Sequence, residues 1–98
     1  MNINIAKEKG MTVISLDGRL DTTTAPELEK VINGEGDALK SLVLDFKGVD
    51  YISSAGLRVL LTAQKKMNVQ GHMELRGVNE SVMDIFEMTG FADILEIK

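Results

Sequence analysis

The sequence predicts an α/β protein: a mixed, largely parallel β-sheet covered by helices, in the order β-β-α-β-α-β-α-β. Three observations carry this. Short apolar runs alternate with longer stretches of helical periodicity, the pattern of strand–helix–strand units. The first two apolar runs flank a charged turn, as in a hairpin. In "LKSLVLDF", Leu42, Val43 and Leu44 are consecutive rather than alternating, as expected of a strand buried on both faces. Ninety-eight residues suggest one domain, 1–98. A chain of this size buries roughly 60–70% of its unfolded surface, enough for a core without staples.

The elements follow in order. Asn2 to Ala6 alternates, with Ile3 and Ile5 on one face, and reads as a short strand. Lys7 to Gly10 is a charged turn. Met11 to Leu16 is the second strand, which Asp17-Gly18 closes. Thr24 and Glu27 have the spacing of a capping box, with Pro26 in the first turn, where a missing N–H costs little. A residue before proline avoids the helical region, so Ala25 is the alternative cap. Leu28, Val31 and Ile32 form the apolar stripe of this helix, and Gly34 and Gly36 end it. Leu39 to Phe46 is the third strand, which a right-handed crossover places parallel to the second.

After a turn at Gly48, Ser54 reads as the N-cap of the central helix, facing the free amides of Ala55, Gly56 and Leu57. Arg58, Thr62, Lys65 and Lys66 make its polar stripe; Leu57, Val59, Leu60, Leu61, Ala63 and Met67 make its apolar side. The helix stops near Gln70-Gly71. His72 to Arg76 alternates as a half-exposed strand, with Met73 and Leu75 inward and His72 solvated. Asn79 or Ser81 caps a third helix with apolar positions Val82, Ile85, Phe86 and Thr89, closed by Gly90. Ile94 to Ile97 is a last short strand. Met67, Met73, Met83 and Met88 fall in or near core positions.

Composition excludes several function classes. The net charge is −4 and the basic residues are scattered, which argues against nucleic-acid binding. Without cysteine, and with His72 the single histidine, neither a thiolate nor a histidine-rich metal site is expected. No serine stands with a base and an orienting group, and Asp17 and Asp21 flank a turn. The chain therefore reads as a non-enzyme without a cofactor. Its apolar runs are far shorter than the roughly 20 residues of a membrane helix. "MNINIAKEKG" lacks the apolar core of a signal peptide, so a cytoplasmic location is expected.

A serine hydroxyl at the positive end of a helix dipole suits a phosphate. From local pattern alone, a plain cap is the commoner role of such a serine. The segment "YISSAGLRVLL" resembles the phosphorylation-site segment of the STAS domains that act as anti-sigma factor antagonists. Ser54, Ala55, Gly56 and Leu57 match its serine, small residue, glycine and leucine; Ser53 stands where the family has an aspartate. "GRLDTTTAPEL" at Gly18 to Leu28 and "VMDIFEMTGF" at Val82 to Phe91 resemble the family's first-helix approach and third helix.

The resemblance implies a STAS fold and a phosphorylation-switched antagonist. Unmodified, it would bind an anti-sigma factor with serine-kinase activity; phosphorylation of Ser54 would release it, and a PP2C-type phosphatase would reset it. ATP and its metal ion would belong to the kinase. Asp21, Thr22, Thr23, Ser53, Ser54, Ala55, Gly56 and Leu57 are the expected partner-binding residues. The alternative is a non-switching STAS interaction subunit of a membrane transport complex, with Ser54 a plain cap. A third reading is an anion or nucleotide bound directly at the Ser54 helix start. With no large self-complementary patch in view, a monomer is expected.

Overall fold

The computed structural model describes residues 1–98. It has four strands and three α-helices: β1 (Asn2–Glu8), β2 (Met11–Leu20), α1 (Ala25–Glu35), β3 (Ser41–Ile52), α2 (Ser54–Gln70), β4 (His72–Arg76) and α3 (Glu80–Thr89). The strands form one sheet in the order β1-β2-β3-β4. β1 and β2 are antiparallel, while β2–β3 and β3–β4 are parallel. Lys9 and Gly10, both at positive φ, make the tight turn of the β1–β2 hairpin.

The mixed, largely parallel sheet is as the sequence predicts, but the helices cover one face of it. Ile14, Leu16, Leu42, Leu44, Phe46, Met73 and Leu75 join one core of 21 buried residues with side chains from all three helices. Val43 is only 2% exposed yet stands outside that core. Alternation points it to the opposite face, where neighbouring side chains rather than a helix cover it. β3 is therefore buried on both faces, as its consecutive apolar residues predict, although helices cover only one of them.

β2 and β3 outrun their expected ends. Asp17 and Gly18 pair with Gly48 and Val49 inside the strands rather than closing them, and the β2–β3 register shifts on either side of that pairing, between Ser15 and Asp17 and again between Gly18 and Arg19. A Cβ on Gly48 would stand 2.8 Å from the Leu16 carbonyl oxygen, so only glycine fits this approach.

The last expected strand, Ile94 to Ile97, does not form. After Gly90 the chain makes a 3₁₀ turn over Phe91–Asp93, and only Ile97 bridges Leu75. The N–H groups of Ile94 and Leu95 bond back to the Phe91 carbonyl, at 3.0 and 2.9 Å, which keeps both residues out of the ladder. Asn79, not Ser81, caps α3: its side chain accepts from the Val82 N–H at 2.8 Å and donates to the Val49 carbonyl at 2.9 Å. Thr89 is exposed, with its hydroxyl on the Ile85 carbonyl. Met67 and Met73 are in the core as expected, but Met88 is 85% exposed.

Candidate functional site

β2 and β3 end side by side, Leu20 paired with Ile52. The bond from the Ser53 N–H to the Leu20 carbonyl, 2.9 Å, continues this pairing past the strand ends. It brings two segments together at the carboxyl end of the parallel strands: the turn at Asp21–Thr24 and the start of α2. This is where open α/β sheets commonly place their sites.

Asp21 organises the turn. Its Oδ1 accepts from the N–H groups of Thr23, at 3.0 Å, and Thr24, at 3.2 Å. Its own N–H donates to Thr24 Oγ1 at 2.9 Å, and its carbonyl accepts from the Ala25 N–H at 2.8 Å. Thr24 is the N-cap by position, but its hydroxyl donates back to the Arg19 carbonyl at 2.6 Å and caps nothing. The predicted Thr24–Glu27 box is therefore replaced by an Asp21-centred turn. The signal was present in "DTTT": aspartate readily binds N–H groups two and three residues on. The Thr24 N–H, foremost, holds the Asp21 carboxyl below its ordinary pKa; desolvation opposes this, while the Thr23 N–H, the Thr24 hydroxyl and Arg19 add to it.

At the helix start the expected cap shifts by one residue. Ser53 is extended, with φ −101° and ψ 177°, and is the N-cap; Ser54 is the first helical residue. The Leu57 N–H bonds to the Ser53 carbonyl at 3.0 Å. The first-turn amides without an intrahelical acceptor are thus those of Ser54, Ala55 and Gly56. The reason is long-range: pairing to Leu20 holds Ser53 in strand geometry. The two hydroxyls differ sharply. Ser53 Oγ is buried and has no hydrogen-bond partner, while Ser54 is exposed.

All eight predicted contact residues meet at this end of the sheet. Thr22, Thr23 and Ser54 are exposed; Asp21, Ser53, Ala55 and Leu57 are partly so. Gly56 is buried beneath them, against Leu20 and Ile52. Two features were not foreseen. Arg19 stacks on Tyr51, its guanidinium 4.1 Å from the ring centroid. A groove of ≈ 280 Å³ runs between α1 and α2 beside the site, with Thr22, Pro26, Glu29 and Arg58 among its walls.

A separate polar cluster lies along β4 and the C-terminal residues. His72 Nε2 stands 3.5 Å from Glu74 and 3.4 Å from Glu96, so His72 is partnered rather than simply solvated. Arg76 pairs with Glu74, and Lys98 with Glu96 at 3.1 Å. The Arg76 hydrogen bond, foremost, holds the Glu74 carboxyl below its ordinary range, against the opposing effect of desolvation. The cations already occupy the carboxylates that a metal ion would need. No helix is long and apolar enough to cross a membrane.

Known proteins align with this architecture over nearly its whole length. The STAS domain family model matches residues 2–98. The protein described as anti-sigma factor antagonist BtrV, from Bordetella bronchiseptica, is 35% identical over 99% of this chain and 85% of its own length. An anti-sigma factor antagonist structure from Mycobacterium paratuberculosis superposes with a TM-score of 0.89 at 24% identity, covering 98% of this chain and 83% of that one. The Bacillus cell fate determinant SpoIIAA, solved in a phosphorylated form, superposes at 0.77 with 17% identity, covering 99% and 91%. From β1 to its C-terminal residues, the chain belongs to the STAS domain family.

Proposed function

We propose that this chain is an anti-sigma factor antagonist switched by phosphorylation of Ser54. The observation that carries the reading is the contrast between the adjacent serines: Ser54 offers an exposed hydroxyl at the start of α2, whereas Ser53 Oγ is shut away. The antagonist role is consistent with the relative that is 35% identical. The partner is an anti-sigma factor with serine-kinase activity. It binds the unmodified face formed by Thr22, Thr23, Ser54 and the partly exposed residues around them.

In the modification step, Ser54 Oγ attacks the γ-phosphorus of ATP held by the partner. The O–P bond forms, the β–γ bridge breaks, ADP leaves, and the serine proton passes to a base on the partner. The product carries about 1.5–2 added negative charges. The helix start tolerates them, because its dipole and free amides favour an anion. The fold persists while the contact face changes sign beside the ionised Asp21, and the complex separates. A PP2C-type phosphatase hydrolyses the ester and restores the hydroxyl.

The test is incubation with candidate kinase partners and ATP, read by intact-chain mass spectrometry. Ser54→Ala should abolish labelling and Ser53→Ala should retain it. The opposite pattern would move the site to Ser53. No labelling of the unmutated chain by any partner that binds it would favour a non-switching interaction subunit.

A further inference from the structure

The phosphorylation reading leaves one charged neighbour of Ser54 without a role. Arg58 stands four residues on in α2, and both side chains are exposed. Residues four apart on a helix are neighbours, their Cβ atoms roughly 5–6 Å apart. Helical side chains lean toward the N-terminus, so the Arg58 stem leads back over the turn that Ser54 opens. Of the three arginines, Arg19 and Arg76 each have a carboxylate within ion-pair distance. Arg58 has none, although Glu29 lines the far wall of the same groove.

We propose that Arg58 is the counter-ion that a phosphate on Ser54 takes from its own helix. This rests on Ser54 being the modified residue. A guanidinium presents a planar fork that matches two phosphate oxygens. The pairing gives the switch a second action. In the unmodified protein Arg58 is a free cation at the mouth of the α1–α2 groove, open to an acidic side chain of the partner. Once Ser54 carries a phosphate, Arg58 is engaged within the chain. The local charge then changes from +1 to about −1. Phosphorylation therefore withdraws a basic anchor as well as adding repulsion.

The experiment needs no kinase. Phosphoserine is placed at position 54 by genetic encoding, and the phosphate is titrated by ³¹P NMR in wild type, Arg58→Ala, Arg58→Gln and Arg58→Lys. The second pKa of the phosphate should lie about 0.2–0.4 unit lower in wild type than in Arg58→Ala or Arg58→Gln. Arg58→Lys should recover much of the difference, and high salt should shrink it. Arg58→Gln keeps most of the stem, so it decides the matter should the alanine variant disturb α2. Equal titration in wild type and Arg58→Gln would overturn the proposal. Failure of every kinase to label Ser54 would instead remove the reading on which it rests, and the two failures are read in separate experiments.

Discussion

Gly56 lies in the first turn of α2, where the helix is seated on the ends of β2 and β3. A Cβ added there would stand 2.8 Å from Ile52 Cγ1, 2.9 Å from Leu20 Cγ and 2.9 Å from the Leu20 carbonyl oxygen. Carbon contacts are comfortable near 3.5–4.0 Å, so Gly56→Ala must push α2 away from the sheet. The Leu20 carbonyl is also the acceptor for the Ser53 N–H, so the push strains the bond that positions the serine pair. Overpacking of this kind costs about 1–3 kcal/mol. Alanine's better helix propensity offsets up to about 1 kcal/mol of that. A net loss of about 1–2 kcal/mol is expected, read as a lower urea midpoint at unchanged slope. Gly34→Ala is the internal control. It lies within α1 with nothing within 4 Å of the added Cβ and no positive φ, so it should stabilise by about 0.5–1 kcal/mol. Gly56→Ala as stable as wild type, with Gly34→Ala behaving as expected, would refute the close seating of α2.

Leu60 is fully buried on the core side of α2, and Leu60→Ala should cost about 2–5 kcal/mol in urea unfolding; a loss under ~1 kcal/mol would contradict its place in the core. Asn79→Ala removes both the α3 cap and the tie to Val49, and should cost about 1–2 kcal/mol by the same measurement. Asp21 and Glu74 are both held below their ordinary carboxyl values of 3.8 and 4.5. Their ionised forms therefore favour the folded state. That contribution is present above these values and is lost as pH falls through the lower folded ones. Urea midpoints between pH 5 and 2 should fall less steeply in Asp21→Asn and in Glu74→Gln than in wild type, and unchanged slopes would contradict this.

Elements with strong local periodicity were legible. The alternation of His72 to Arg76 gave β4 at its observed bounds, and the apolar spacing around Leu60 and Met67 gave the core side of α2. Decisions taken by distant contacts were not legible. Gly18 and Gly48 read locally as turns, but the pairing between β2 and β3 runs on through them. Ser53 and Ser54 are both good caps, and the Leu20 carbonyl decides between them from another strand. The apolar run at Val43 cannot reveal that its outer face lacks a helix, since a side chain is covered as well by cross-strand neighbours. Ile94 and Ile97 have strand-like chemistry, yet the 3₁₀ turn leaves only Ile97 in register with Leu75. The candidate segment was legible because its glycine, small residue and serines follow one another in sequence. Its arrangement also depends on the Asp21 turn, for which "DTTT" carried the local signal, and on the Ser53–Leu20 bond, for which no local signal exists.

The most direct measurement of the proposed switch is calorimetric titration of the anti-sigma factor with two preparations of this chain, unmodified and carrying genetically encoded phosphoserine at position 54. The unmodified chain should bind, and the phosphoserine chain should bind at least about tenfold more weakly, a difference of ~1.4 kcal/mol. Circular dichroism should be the same for both, because the helix start accommodates the anion. Equal affinities for the two preparations would contradict the switch.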